Sequence, residues 1–370
     1  MTAMGPLSDV KILEFGSIGP GPFAAMVLAG AGANVLRLRR PDEQPLIPVA
    51  GTGADKRGRP SVPIDLKDPA DQELLLRLVD SADAVIEGFR PGVLERRGLG
   101  PDDLLARNPR LVYGRMTGYG QDGPMAQVPG HDINYIAMSG ALSAMARQGE
   151  RPLFPLNLLG DYGGGGMLLA FGVVCAVLDA RTTGRGQVVD AAMVDGVAQL
   201  ATPFYGFAAA GSLGPPGTNF LDSGAHFYEV YETADGGHMA VGAIEPQFYG
   251  ALLRILDIPD SEAPQWDRQR WPELKRRFSA VFRTRTRDEW TAVFELADAC
   301  TTPVLSLEEA TVHPHNVARR TFVERDGAML PSAAPRFGTS SDDRTPAVDT
   351  QALASTWGLD EAELAALDPS

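Results

Sequence analysis

The sequence predicts an α/β fold: a doubly wound parallel sheet in a large domain, followed by a small α+β domain. Three observations carry this. Short apolar runs alternate with helical periodicity over the first 116 residues; a hairpin pattern around Asp235-Gly236-Gly237 breaks that alternation; and Pro- and Gly-rich segments at 211–217 and around 303–335 flank the stretch where it breaks. In order, 10–15 reads as a strand, 16–22 as a turn, 23–31 as a helix and 34–38 as a second strand, a βαβ unit. Strand 62–66, helix 68–82, strand 84–87, helix 101–107 and strand 111–116 continue the alternation. A helix from 167 stops near Gly184, and 187–192 resumes as a strand. Beyond it, 227–233 and 238–242 flank the hairpin turn, and helices follow at 246–256, 271–283 and 286–297.

Composition bounds the class. A chain of 370 residues with 44% hydrophobic content can bury one large core and a smaller second one. The longest apolar stretch, 167–178, is interrupted by Gly172 and falls short of the roughly 20 residues of a membrane span, so a core helix and no membrane span are expected. The first residues carry no charged and apolar signal pattern, and Cys175 and Cys300 cannot build a disulfide framework, so a cytoplasmic location is expected. A formal charge of −14 argues against a nucleic-acid surface, and an anionic ligand would have to be held locally. Residues 1–67 offer such a place, with Lys11, Arg37, Arg39, Arg40, Lys56, Arg57, Arg59 and Lys67. The C-terminal 341–370 is the reverse, with seven acids against Arg344.

The first βα turn, Gly16-Ser-Ile-Gly19-Pro-Gly21-Pro22, lacks the G-x-G-x-x-G spacing, and the second strand ends in Arg39-Arg40 where a dinucleotide site places an acid. A nicotinamide cofactor is therefore not expected. Arginine there suits a phosphorylated ribose or, equally, a solvated strand end.

Gly130-His131-Asp132-Ile133-Asn134-Tyr135, with Asp161 and the run Gly163 to Gly166 downstream, looks like proton-transfer equipment. A lone His beside an Asp is more often an ordinary hydrogen-bonded pair. Here one of only five histidines sits among several polar groups just before an apolar segment, which favours a site. Amides at the start of a helix near Gly163 would hold a developing anion, and the same glycines would allow close helix packing. His313 and His315 flank Pro314 and read as a loop pair, so no metal is expected.

On these residues, and on Gly184-Arg-Gly-Gln-Val-Val-Asp-Ala-Ala-Met193, Gly242-Ala-Ile-Glu245-Pro-Gln-Phe-Tyr249, Gly19-Pro-Gly-Pro22, Pro303-Val-Leu305 and Ala334-Pro-Arg-Phe337, the chain resembles the family III CoA-transferases nearly end to end, and within them the racemases of 2-methylacyl-CoA thioesters. The resemblance implies an interlocked homodimer. Each subunit would have a large Rossmann-like CoA-binding domain from both chain ends (1–192 and 334–370), a small domain (227–302) and linkers at 193–226 and 303–333. It implies His131 and Asp161 as catalytic bases, with Asp132 beside them and Glu245 from the partner's small domain near His131. CoA, as part of the substrate rather than a cofactor, would be held by Arg40, by Ile64, Asp65, Leu66 and Lys67, by Gly88, Phe89 and Arg90, by Arg96, and by Gly130, Ile133, Asn134 and Tyr135. Here the basic run before the Asp-Leu-Lys strand, Lys56-Arg57-Gly58-Arg59-Pro60, is longer than in relatives. The implied activity is inversion at Cα through an enolate, on a branched fatty acyl, sterol side-chain or arylpropionyl thioester. Two alternatives stay open: a CoA-transferase of the same family with Asp161 as acyl nucleophile, and a CoA-binding protein without activity.

Overall fold

A computed structural model describes residues 5–43, 58–325, 327–338 and 350–367. In chain order the elements are β1 (Lys11–Phe15), α1 (Pro20–Gly30), β2 (Asn34–Arg39), β3 (Ser61–Pro63), α2 (Pro69–Ser81), β4 (Ala84–Glu87), α3 (Pro101–Arg107), β5 (Val112–Thr117), α4 (Asp132–Met138) and α5 (Ala141–Ala144). A wide helical turn (Leu158–Met167) runs straight into α6 (Leu168–Thr183). Then come β6 (Val188–Ala192), α7 (Met193–Leu200), α8 (Thr202–Ala209), β7 (Tyr228–Glu232), β8 (His238–Gly242), α9 (Pro246–Ile255), α10 (Trp271–Phe282) and α11 (Arg287–Phe294). The chain closes with β9 (Thr301–Pro303), α12 (Leu307–Val312), α13 (Pro314–Ala318), β10 (Phe322–Arg325), β11 (Ala328–Pro331), α14 (Thr350–Trp357) and α15 (Glu361–Ala365).

Two compact units result. The first takes the chain up to Ser139, then Pro155–Ala201 and the chain from Arg320 on. Its six strands are all parallel, in the order β3-β2-β1-β4-β5-β6, the doubly wound arrangement. Successive side chains of each strand feed opposite faces. Ile12, Val35, Ile86 and Val112 meet Ala24, Leu28, Leu169 and Val173 of α1 and α6 on one side. Leu13, Leu36, Val85 and Tyr113 meet Leu75 and Leu78 of α2, and Trp357 of α14, on the other. Burial on both faces is why these strands read as continuous apolar runs. Lys11 Nζ anchors the C-terminal helix, donating to the Thr356 carbonyl at 2.6 Å and lying 5.6 Å over the Trp357 ring.

The second unit holds Gly140–Phe154 and Thr202–Arg319. A three-stranded antiparallel sheet, β7-β8-β9, packs with α9, α10 and α11 around Phe227, Tyr231, Met239, Trp271, Phe278, Phe282 and Trp290. Tyr231 and Phe282 stack at 5.0 Å.

Several local expectations shift. The first helix begins inside the expected turn, because Pro20 at its first position needs no amide partner and is preset for helix. The strand expected at 62–66 is only Ser61–Pro63, and the helix expected at 286–297 ends at Phe294. The stretches read as linkers contain helices α7 and α8 and, further on, α12, α13 and the β10-β11 hairpin. There, too, proline misleads: Pro314 opens α13. The helix read from 167 starts nine residues earlier, so Leu158–Thr183 forms one apolar run of 26 residues. That is long enough to cross a bilayer by length and composition, but half of its most apolar 18 residues are buried, with Leu169, Ala170 and Val173 in the sheet's core.

Candidate active site

Every site residue expected in the first unit lies beyond a strand's C-terminal end, where open α/β sheets bind ligands. Arg40 follows β2; Ile64, Asp65, Leu66 and Lys67 follow β3; Gly88, Phe89 and Arg90 follow β4; Arg96 stands in the short turn Glu95–Arg97. The loop after β5 leads through Gly130 into α4. Arg40, Lys67, Arg90 and Arg96 are exposed, and among the described residues none of the four is in an ion pair. Ile64 is buried in the core and can offer a ligand only its backbone. Asp65 organises its own turn, accepting from Lys67 N–H at 3.0 Å while its amide donates to Asp71 at 2.7 Å. Phe89 sets its edge against Phe15 at 6.3 Å, and Leu66 is half-buried.

Of the basic run 56–60, Lys56 and Arg57 lie outside the described residues, as does Arg344. Arg59 is not available to a ligand as a free cation. It is fully buried in an ion pair with Glu14, and Glu14 also faces Arg37 at 3.8 Å across the β1-β2 pairing.

His131 caps the N-terminus of α4 in extended conformation, with its imidazole exposed and its side chain making no capping bond. Asn134, one turn on, accepts the His131 N–H at 3.0 Å, and the His131 carbonyl takes the amides of Asn134 and Tyr135. The backbone of His131 is thereby fixed while its ring stays outside. Tyr135 is buried, donates its hydroxyl to the Gly130 carbonyl and packs edge-on against Tyr119 at 4.9 Å. Burial pushes its hydroxyl pKa up to about 12, so Tyr135 serves as a wall of the loop. Ile133 is 41% exposed on the same turn.

Asp132 turns inward. Its Oδ2 accepts the amides of Gly160 at 2.6 Å and Asp161 at 2.7 Å, while its Oδ1 is buried and, among the described residues, unpartnered. Asp132 thus ties α4 to the wide turn that carries Asp161. Asn157 Nδ2 donates to Asp161 Oδ2 at 3.0 Å. Burial raises the Asp161 pKa above the ordinary aspartate value and the nearby Asp132 charge adds to it, while Asn157 and His131 pull the other way. His131 is therefore close enough for its charge to be felt at Asp161. Gly19, at φ +70°, is the other neighbour: a Cβ there would sit 3.3 Å from Asp161 Oδ2.

The amides of Gly163 to Gly166 stand inside the helical run instead of at its start, and those at the start, Gly160 and Asp161, are taken by Asp132. The glycines serve packing: a Cβ on Gly164 would meet Val197 N of α7 at 2.7 Å. Glu245 belongs to the second unit, where it is exposed at the N-cap of α9 and its carbonyl accepts Tyr249 N–H at 2.9 Å. Sequence reasoning missed Asn157, Glu87, Glu95 and Arg115. An arginine inside the buried strand Val112–Thr117 was the available signal for the last three, since a buried charge needs partners.

The model of "CoA-transferase family III" matches residues 7–352. The chain belongs to this family. Among family III relatives it is 46% identical over 346 residues to the α-methylacyl-CoA racemase of Mus musculus, covering 92% of this chain and 88% of that protein. To the α-methylacyl-CoA racemase of Homo sapiens it is 45% identical over 333 residues, covering 89% and 86%. The crystal structure of Rv3272 from Mycobacterium tuberculosis superimposes with a TM-score of 0.77 at 27% identity, covering 92% of this chain and 95% of that one.

Proposed function

We propose that this chain interconverts (R)- and (S)-2-methylacyl-CoA thioesters by two-base proton transfer at Cα. One base takes the Cα proton from its own face, the electron pair moves onto the thioester oxygen as an enolate, and the other base, already protonated, delivers its proton to the opposite face. His131 and Asp161 fill these roles. The observation that carries the reading is their pairing: an exposed imidazole at the start of α4 beside a carboxyl whose raised pKa brings it nearer neutrality. The names of the two racemase relatives support it. Asp132 acts as the holder of Asp161 and not as a third base, because its carboxylate faces the backbone of the turn.

The thioester's phosphates are assigned to the cations beyond β2, β3 and β4. The working form is assigned to an interlocked homodimer in which Glu245 of a second copy supports His131. Exposed apolar side chains on one face of α6, Phe171 at 67% and Leu178 at 61%, support burial against such a copy, as does α8, which has no buried residue. The free thiols Cys175 and Cys300 suit a reducing, cytoplasmic setting. The chemistry needs neither metal nor nicotinamide, so activity is expected to persist in chelator.

Each enantiomer, incubated in heavy water, should take up deuterium at Cα and invert. His131→Ala should lose inversion and keep exchange only for the enantiomer whose hydrogen faces Asp161; Asp161→Ala should show the opposite preference. Full inversion of both enantiomers by His131→Ala would overturn the two-base reading, and an acyl group trapped on Asp161 by hydroxylamine at turnover rates would put the transferase mechanism in its place.

A further inference from the structure

We infer that Arg115 is a positioning residue for CoA binding, clamping both ends of the loop that presents Arg90 and Arg96. The inference rests on the assignment of the thioester's phosphates to those two arginines.

Arg115 on β5 stands directly beside Glu87 on β4 in the sheet register. Its Nε meets Glu87 Oε1 at 2.9 Å and its Nη2 meets Glu95 Oε1 at 2.8 Å. The second oxygen of Glu87 accepts the Phe89 amide at 2.7 Å. One guanidinium thus holds the loop where it leaves β4, through Glu87 and Phe89, and again at Glu95, next to Arg96. Leu94 and Leu99 are 1% and 2% exposed and pin the far side, and Tyr113, under the guanidinium at 5.8 Å, donates its hydroxyl to the Leu99 carbonyl at 2.8 Å. Between these anchors Gly88, Arg90, Arg96 and Arg97 remain exposed.

A buried ion pair contributes little net stability over an apolar replacement, and its better-attested role is to select one conformation. Here the selected conformation is that of two cations beyond one strand end. The planar fork of Arg115 presents Nε and Nη2 to two carboxylates in a fixed, spread geometry, which the single point of charge of a lysine ammonium does not reproduce.

The test uses the full chain and two substrates, a 2-methylacyl-CoA thioester and the matching acyl-pantetheine thioester, which lacks the nucleotide and its phosphates. Arg115→Lys and Glu95→Gln should each raise KM for the CoA ester about tenfold at near-constant kcat, and leave KM for the pantetheine ester at the parent value. Glu95 is the safer variant, because its side chain is 38% exposed and the fold does not depend on burying it. If Arg90→Ala and Arg96→Ala raise the CoA-ester KM while folded Arg115→Lys and Glu95→Gln do not, the clamp is wrong and the phosphate assignment survives. Equal losses on both substrates would reduce Arg115 to a structural residue and overturn the inference. If Arg90→Ala and Arg96→Ala themselves leave KM unchanged, the phosphate assignment fails, and the inference with it.

Discussion

Asp132 Oδ2 takes two amide hydrogens from the turn that carries Asp161, so a substitution at Asp132 acts on Asp161 twice, through position and through charge. Burial is the largest cause of the raised Asp161 pKa, and the Asp132 charge raises it further. Asp132→Asn keeps an oxygen to accept from the turn but removes the charge. The Asp161 carboxyl should then fall back toward the ordinary aspartate range, and the acidic limb of kcat/KM should move to lower pH. A weaker base at neutral pH should lower kcat/KM about tenfold. A pH-rate profile of the two proteins decides: a limb that does not move means Asp132 contributes position alone. The adjacency of His131 and Asp132 is visible in the sequence. Their opposite directions are not, because the cap and the first residue of a helix face different sides and only the packing of α4 decides which side is buried.

At the scale of elements, the glycine run Gly163 to Gly166 is readable both as a helix start that holds an anion and as a packing surface. The tertiary structure separates the two, since Asp132 consumes the amides at the start and α7 approaches the run too closely for a side chain. Wide helical turns of this type often occur at functional sites, where the extra residue re-aims a side chain. Gly164→Ala should destabilise the first unit by about 1–3 kcal/mol, because the new methyl meets backbone at Val197 and neither helix can yield cheaply. Denaturant unfolding measures it. An unchanged midpoint would show that α7 can shift, and the packing account of the run would fall.

For the molecule as a whole, the two units offer separate tests. In the second, His226 is fully buried, with Nε2 2.6 Å from the Tyr249 hydroxyl, which itself donates to the Ala263 carbonyl. Nε2 must therefore carry the proton. Burial, with Arg270's charge second, pushes the His226 pKa down to about 3 from an ordinary 6.5. With the folded value depressed, the neutral ring's contribution is complete above pH 6.5 and is lost as pH falls toward 3, at about 1.4 kcal/mol per pH unit. The stability gap between the parent and His226→Gln should narrow across that window; a constant gap contradicts it. The proposed shared site is tested by co-refolding Glu245→Ala with His131→Ala chains. Heterodimers with one intact site should recover part of the activity, and heterodimers without any would mean each chain works alone.

The sequence by itself determined the strand succession of the parallel sheet, the hairpin of the second unit and the cluster around His131. Each of these rests on local patterning: apolar runs buried on both faces, Asp-Gly at a tight turn, polar residues crowded before a helix. Tertiary structure alone decided where charges went. Arg59 looks like a ligand's cation in the sequence and is spent on Glu14; Arg115 looks like an intruder in a strand and holds a loop. Asp132 looks like a member of the catalytic set and is a tether. A side chain's partner depends on residues far away in the chain, as Glu14 is from Arg59 and Asp132 from Gly160. Periodicity records which face a residue occupies and carries no information about what stands across from it.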